Sequence, residues 1–364
     1  MKKIVYSVSL IASMASLLSC NDKLEIAAPY KNITVVYGLL NIADTAHYVR
    51  IQKAFMDQNQ SGIDMAKVAD SSFYNVLDVK IKELNSGGTV LNTIDLDKVD
   101  LTLEGYPKQS GAFFNTPNYA YKFKRALNAA NTYRIIITNK NTGNVDSAET
   151  AVIGTGKPGD FNNFGIVEWR SDTVKTSISF FQTFTDAGKL RDINFAARIP
   201  DNVGDAQLVL RFNWTDSNTA TGASVKKSAD FTNFNTNPLG IENQSPLNKT
   251  FGYITPNRDF YVFLRDALGV NPSANQTRIL DSCDMFLYVA GIEYKRYRLL
   301  NENKGGITAD EIRPMYSNIK GANVLGLFST KAFVAKYNIG INKETRDSIL
   351  KNNLTSDLNI RFYQ

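Results

Sequence analysis

The chain has 364 residues, of which 43% are hydrophobic and 11% aromatic, a composition typical of a globular protein and not of a disordered one. Its formal net charge is +6, and removal of residues 1–19 as a signal peptide would take away Lys2 and Lys3 and lower that charge. So mild a positive charge argues against the concentrated basic face of a nucleic-acid-binding protein, and we predict no nucleic-acid partner.

The N-terminal segment predicts that the protein is exported and attached to a membrane by a lipid. The two lysines precede an apolar run, Ile4–Leu18, that is interrupted by serines and is shorter than the roughly 20 residues a spanning helix needs. Residues 1–19 are therefore predicted to be a removable signal peptide. The run ends in Leu17-Leu18-Ser19-Cys20, which resembles the lipobox of bacterial lipoproteins, in which the cysteine is acylated and becomes the mature N-terminus. We predict lipidation of Cys20, with residues 20–30 as a lipidated tether.

Residues 31–153 are predicted to form one immunoglobulin-like antiparallel β-sandwich. Short segments of alternating or β-branched residues follow one another, separated by turns rich in glycine and asparagine. In NYAYKFKRA, for example, Tyr119, Tyr121 and Phe123 share one side of a strand and lysines the other. The length of the segment is about that of one such domain.

Residues 154–165 are predicted to be a linker, because this stretch is rich in glycine and asparagine. Beyond it, residues 166–364 are predicted to form a second β-rich domain with a few short helices. We predict helices in NRDFYVFLRDALG, with Asn257 as N-cap and Gly269 at its end, in YKRYRLLNE and in KETRDSILKNN. The predicted fold class is therefore mostly β.

Histidine and cysteine counts limit the chemistry of the chain. His47 is the only histidine, so a Ser-His-Asp or Cys-His arrangement would have to use it. It falls on the apolar side of a predicted strand, which favours a structural role. If Cys20 carries lipid, Cys283 is the only thiol left. It lies in the apolar run DSCDMFLYVAG, which predicts a buried strand, and is interpreted as a packed side chain. We predict no catalytic residue, no metal and no cofactor.

A family resemblance enters near the C-terminus. Tyr316-Ser317-Asn318-Ile319, then Gly321, then Leu325-Gly326-Leu327-Phe328-Ser329, resembles the ending of a Bacteroidota outer-membrane lipoprotein family catalogued as domain of unknown function 4249. The segment GANVLG departs from the tighter glycine pair of that pattern. The resemblance implies an outer-membrane lipoprotein, exposed at the cell surface, whose partner is a β-barrel protein such as a TonB-dependent receptor. It implies no activity.

The same segment has a physical interpretation that does not depend on any family. YSNIKG is typical of a turn and NVLGLFST of a buried strand, with glycines where the backbone bends or approaches another segment closely.

Two sets of surface residues are candidates for modification or binding. Four Asp-(Ser/Thr)-aliphatic tripeptides resemble O-glycosylation acceptors of the same phylum, and the predicted sites are Thr45, Ser147, Thr173 and Ser348. A basic and aromatic run could contact an anionic ligand, a lipid head group or a partner, or could be the solvated face of a helix that buries its tyrosines. This run consists of Tyr294, Lys295, Arg296, Tyr297 and Arg298.

Three functions remain open at this point. The leading hypothesis is a non-catalytic binding or accessory subunit of a TonB-dependent receptor or another outer-membrane β-barrel complex. The first alternative is a free-standing glycan-binding or adhesive lipoprotein. The second is a carboxylate-dependent hydrolase, for which pairs such as Asp281 with Asp284 or Glu302 with Asp310 are available. For the glycan-binding alternative, the candidate residues that would stack on sugar rings are Trp169, Trp214, Tyr119 and Tyr121.

Overall fold

The computed structural model describes residues 33–54, 61–154, 166–168, 177–180, 192–198, 202–237, 250–269, 275–301 and 316–362. The predicted signal peptide and tether, and all but the first residue of the predicted linker, lie outside these ranges. The described part of the chain is mostly β, with a few short helices, as predicted.

The first eight strands form a sandwich. Their bounds are β1 Ile33–Asn41, β2 Ala46–Ala54, β3 Leu77–Leu84, β4 Val90–Asp95, β5 Asp97–Asp100, β6 Tyr119–Lys124, β7 Thr132–Asn139 and β8 Val145–Ala151. Two short helices, α1 (Gly62–Ala66) and α2 (Ala69–Ser72), lie between β2 and β3.

These strands pair in the order of an immunoglobulin domain. One layer runs β1-β2-β6-β5 and the other β4-β3-β7-β8, with antiparallel pairing within each layer. These orders correspond to the A-B-E-D and C′-C-F-G sheets of immunoglobulin folds. The hydroxyl of Tyr133, near the start of β7, accepts a hydrogen bond from the Asn128 N–H at 2.8 Å, which is the tyrosine corner of that fold. The predicted immunoglobulin-like antiparallel sandwich is confirmed.

The remaining elements are also mostly strands. Their bounds are β9 Ile166–Glu168, β10 Ser177–Ile178, β11 Ile193–Arg198, β12 Val203–Asn218, β13 Ser224–Phe231, β14 Asn235–Asn237, β15 Thr250–Thr255, α3 Asn257–Leu268, β16 Gln276–Gly291, α4 Ile292–Asn301, β17 Val324–Ile341, α5 Lys343–Lys351 and β18 Ile360–Arg361. The three predicted helices are present as α3, α4 and α5.

One detail of the α3 prediction is wrong. The N-cap is Pro256, and Asn257 is the first helical residue. The Asn257 side chain is buried and donates a hydrogen bond to the Phe180 carbonyl at 3.1 Å, so its amide contacts a neighbouring segment and does not cap its own helix. The helix ends at Gly269 as predicted, and the φ of Gly269 is +66°.

One ten-stranded sheet joins the two halves of the chain. Its main path is β13-β12-β16-β17-β1-β2-β6-β5. The junction is a parallel pairing of β1 with β17, from Thr34 opposite Val324 to Asn41 opposite Lys331. The predicted boundary between residues 31–153 and 166–364 is therefore crossed by continuous hydrogen bonding.

The buried side chains nevertheless form two clusters. One fills the immunoglobulin-like sandwich, and it also contains Ile319, Val324 and Phe328 from the C-terminal segment. The other fills the second half of the chain and includes Ile153. The two halves of the chain thus have two separate cores that share one sheet, and the predicted division into two domains stays a prediction. We call the face of the large sheet that carries both cores its inner face, and the opposite one its outer face.

Candidate functional site

Helix α4 follows β16 without a loop and lies over the outer face of the sheet. A Cβ on Gly204 of β12 would come within 2.4 Å of the Ile292 Cα, so glycine at 204 permits the helix to start directly against that strand. Arg298 Nε lies 2.8 Å from Asp205 Oδ2, which ties the helix to β12. These contacts place the predicted basic and aromatic run on the sheet.

The five residues of this run do not act together. Tyr294 and Arg298, one helical turn apart, line a cavity. Tyr297 packs edge-on against Tyr37 of β1, with ring centroids 6.3 Å apart. The hydrogen bond between the two hydroxyls, together with burial, raises the pKa of Tyr37 to about 12. Arg296 pairs with Glu293 at 3.0 Å, and Lys295 does not line the cavity.

The cavity has a volume of about 530 Å³ and is partly open to solvent. This size falls within the range of about 300–1,000 Å³ that is usual for small-molecule sites. Residues from β1, β12, β15, β16, β17 and α4 and from the segment between β13 and β14 surround it. The lining includes Asn41, Asp205, Gln207, Tyr253, Tyr288, Tyr294, Arg298, Lys331 and Phe333.

An aromatic patch, formed by the buried Phe286 and the exposed Tyr288, Phe333 and Tyr337, adjoins the cavity on the outer face. Tyr288 and Phe333 are direct cross-strand neighbours with ring centroids 5.0 Å apart. Phe286 stacks on Phe333 at 5.9 Å and meets Tyr337 edge-on at 5.8 Å. Tyr288, Phe333 and Tyr337 are 45%, 46% and 62% exposed. Large aromatic side chains left this exposed on a sheet face are characteristic of interaction sites.

The patch was missed by sequence reasoning, although a signal was present. The run DSCDMFLYVAG was interpreted as one buried strand, but a strand presents alternate residues to opposite faces. Met285, Leu287 and Val289 are buried in the core, whereas Phe286 and Tyr288 lie on the outer face. The same alternation in AFVAKYNI places Phe333 and Tyr337 on that face.

Charges at the cavity are of both signs. Arg298 and Asp205 form an ion pair and offset one another. Lys331, exposed at the end of the β1–β17 pairing opposite Asn41, has no ion pair among the described residues. The lining therefore carries an excess of one positive charge, contributed by Lys331.

The only histidine has a structural environment. His47 is buried, its ring lies 4.8 Å from that of Phe123, and its Nε2 donates to the Arg125 carbonyl at 2.9 Å. Burial is the largest influence on the pKa of His47 and lowers it. His47 thus lies on the buried side of β2, where the alternation of the strand placed it.

Cys283 is fully buried in the core of the second half, and burial raises the pKa of its thiol well above the ordinary range. Because a thiolate is the reactive form, we expect a maleimide to leave Cys283 unmodified in the folded protein and to modify it fully in denaturant. Intact-mass spectrometry of both samples measures this. Rapid labelling of the folded protein would show that the thiol is accessible.

The sugar-stacking residues considered from the sequence are placed differently from the aromatic patch. Trp214 and Tyr121 are buried in the two cores. Tyr119 is half-buried, with Lys98 Nζ 4.3 Å from its ring centroid. Trp169 lies outside the described residues. Trp214 and Tyr121 therefore offer no exposed stacking surface.

Three of the four predicted O-glycosylation residues are described. Thr45 is exposed in the turn between β1 and β2. Ser147 lies in β8, where its backbone pairs with Lys320. The Ser348 hydroxyl is 2.6 Å from the Tyr261 hydroxyl. Thr173 lies outside the described residues, and modification of all four stays a prediction.

The described residues contain no group of three or more His, Cys, Asp or Glu side chains placed to hold a metal ion. They also contain no helix both long and apolar enough to cross a membrane.

Comparison of the sequence with protein-family models and with curated proteins finds no match. The resemblance described from residues 316–329 therefore stays a prediction.

Proposed function

We propose that the protein is a lipid-anchored, non-catalytic binding subunit at the outer-membrane surface. It would hold a ligand in the cavity and present it to a β-barrel partner such as a TonB-dependent receptor. The observation that carries the binding role is the cavity itself, which is partly open and walled by exposed aromatic side chains and by Tyr294 and Arg298 of α4. The resemblance of residues 17–20 to a lipobox supports the membrane address.

The position of the cavity fits a presenting role. Most of its walls come from the central strands of a continuous sheet, which also includes strands of the immunoglobulin-like sandwich, and the rest come from α4, from Tyr253 of β15 and from the segment between β13 and β14. Sites on sheets and helices keep their geometry better than sites on loops. A ligand held here would therefore have a defined orientation relative to the N-terminal sandwich.

Copurification tests the partner. The chain carries a C-terminal tag at its native expression level, outer membranes are solubilised in mild detergent, and co-eluting proteins are identified by mass spectrometry. We expect a β-barrel protein at stoichiometric yield. Recovery of the lipoprotein alone would contradict the accessory role.

Replacement of the acylated cysteine tests the anchor. We expect Cys20→Ala to move the protein from the membrane pellet to the soluble fraction, because acyl chains contribute about 0.8 kcal/mol of membrane affinity per buried CH₂. Immunoblots of the two fractions measure this. The matched control, Cys283→Ala, removes the other thiol and should stay in the pellet. A Cys20→Ala protein that still sediments with membranes would show another anchor.

A second candidate function, a free-standing glycan-binding lipoprotein, is favoured by the exposure of the aromatic patch. It predicts the same cavity ligand without a barrel partner, and the copurification separates the two. The hydrolase alternative has less support at this site. Among the described residues that line the cavity, Asp205 is the single carboxylate, and the common glycosidase mechanisms need two.

A further inference from the structure

We infer that the cavity beside the aromatic patch binds an acidic saccharide, a sugar ring that carries a carboxylate or sulfate group. The inference rests on the proposed function, since it names the ligand class of the same cavity. The shape of the aromatic walls, the polar groups between them and the uncompensated charge of Lys331 support it.

The aromatic walls match the apolar side of a sugar ring. A pyranose presents C–H groups on its faces and hydroxyl groups around its edge. Tyr288 and Phe333 stand side by side on adjacent strands, each about half exposed. Flat aromatic side chains supply large contact areas at low conformational cost. The neighbouring Phe286, stacked on Phe333, supports that ring from the side away from the cavity lining.

Polar groups surround these rings in positions suited to hydroxyl recognition. Gln207 lies directly opposite Tyr288 on β12, and Asn41 lies opposite Lys331 on β17. Amide side chains both donate and accept hydrogen bonds, as sugar hydroxyls do. The Asp205–Arg298 pair adds an acceptor and a donor, held by α4. Few, well-placed polar groups among aromatic walls are the usual composition of a specific ligand site.

The charge favours an acid over a neutral sugar. Arg298 is neutralised by Asp205, whereas Lys331 forms no ion pair with another residue in the described part of the chain. An ammonium group at the cavity wall binds a carboxylate or a sulfate through charge-assisted hydrogen bonds, which are about twice as strong as neutral ones. A sugar ring on Tyr288 and Phe333 would place its acidic substituent within the same cavity as Lys331.

Calorimetric titration tests the inference. The full lipoprotein in detergent is titrated with three tetrasaccharides. The charged groups of tetragalacturonate are all carboxylates, those of a sulfated carrageenan tetrasaccharide are all sulfates, and cellotetraose is neutral. We expect one of the two acids to bind at least about tenfold more tightly than cellotetraose. The acid that binds identifies the substituent. No binding of either acid, or equal binding of cellotetraose, would overturn the inference.

Two substitutions with matched controls locate the site. Lys331→Gln should weaken binding of the acid by about tenfold or more, whereas Lys336→Gln, an exposed lysine of the same strand outside the cavity lining, should change it less than about twofold. Phe333→Ala should abolish measurable binding, while Tyr337→Ala, a more exposed ring that does not line the cavity, should leave it nearly unchanged. Thermal melting of each variant confirms that it folds.

Equal effects of the cavity variants and their controls would place the ligand elsewhere and overturn the assignment. The titration needs no partner protein. If no acid binds but a β-barrel partner copurifies, the ligand class is wrong and the accessory role remains supported. If an acid binds but no partner copurifies, the ligand class remains supported and the accessory role is wrong.

Discussion

Gly326→Ala is expected to lower the free energy of unfolding by about 3–5 kcal/mol. Gly326 lies in β17 opposite Val36 of β1, at the parallel junction that joins the two halves of the chain. Its φ is +134°, a backbone conformation that residues other than glycine rarely adopt. A Cβ at this position would come within 1.9 Å of the Val36 carbonyl oxygen. Because that obstacle is backbone, relief of the clash would require β1 and β17 to separate. Urea denaturation followed by circular dichroism measures the change.

The control for this substitution is Gly111→Ala. Gly111 lies in a loop and a Cβ there would have no heavy atom within 4 Å, so we expect a change within about 0.5 kcal/mol. Both substitutions replace glycine by alanine and reduce the backbone freedom of the unfolded chain similarly. They differ in that position 326 closely approaches another strand, whereas position 111 faces open space. Equal stability of the Gly326→Ala and wild-type proteins would show that the strands pair less closely than described.

Glu83→Gln is expected to cost about 3–5 kcal/mol of stability. Glu83 is buried at the end of β3, where Asn131 Nδ2 and the Tyr133 hydroxyl donate to its Oε1 at 2.7 and 3.0 Å. Asn92 Nδ2 and Arg125 Nη2 lie 2.8 and 2.6 Å from Oε2. An amide at this position would leave the guanidinium of Arg125 without its counter-charge and direct an NH₂ group at neighbouring donors. Chemical denaturation at pH 7 measures the loss.

The same carboxylate predicts a pH dependence. Burial alone would raise the pKa of Glu83, but the hydrogen bonds from Asn131, Asn92 and Tyr133 and the charge of Arg125 lower it below its ordinary value of 4.5. A group whose pKa is lowered by folding stabilises the protein above its unfolded pKa, and this contribution disappears as pH falls through the folded value. The wild-type protein should therefore lose this stabilisation on acidification below about pH 4.5, and Glu83→Gln should lack that part of the pH dependence.

Glu149→Gln is the control. Glu149 is an exposed carboxylate of the neighbouring strand β8 and pairs with Arg134 at 2.6 Å. Exposed ion pairs contribute about 0–1 kcal/mol, so this variant should retain both the stability and the acid sensitivity of the wild type. Comparable losses in the two variants would mean that the network around Glu83 contributes no more than a surface pair.

Glu83 and Gly326 both belong to the part of the fold that positions the cavity, namely the immunoglobulin-like sandwich and its junction with the second half of the chain. Glu83 organises the end of the immunoglobulin-like sandwich at its tyrosine corner, and Gly326 permits that sandwich to share a sheet with the second half of the chain. Lys331, at the cavity, lies five residues after Gly326 on the same strand and pairs with the same β1. Disruption of the junction should therefore reduce ligand binding as well as stability.

Local patterns in the sequence were sufficient for much of this fold. Alternation in NYAYKFKRA predicted a strand with Tyr119, Tyr121 and Phe123 on one side, and β6 buries Tyr121 and Phe123 in the core of the sandwich. The glycines of NVLGLFST were interpreted as points of close backbone approach, and Gly326 is such a point. The helices α3 to α5 were predicted from their periodicity and end signals. The strand and the helices depend on interactions within a few residues of one another, whereas the backbone that Gly326 approaches, at Val36, lies 290 residues away in the sequence.

The candidate site was only half predictable. Tyr294 and Arg298 were selected because basic and aromatic residues alternate in one short run, and both line the cavity. Lys331, Tyr288 and Phe333 were not selected, because each looked like an ordinary strand residue. They become a site through cross-strand pairing of β16 with β17 and through the position of α4, and neither can be inferred from local periodicity.

The sequence by itself was sufficient to predict the strand-rich class, an N-terminal immunoglobulin-like sandwich and a lipidated Cys20, because periodicity, turn residues and a short acylation motif are local signals. Only the tertiary structure decided that the two halves share one sheet and that an aromatic patch adjoins a charged cavity. The physical reason is sequence separation: β1 and β17 pair across some 290 residues. A strand's own alternation specifies which side chains share a face, but not which face will be covered.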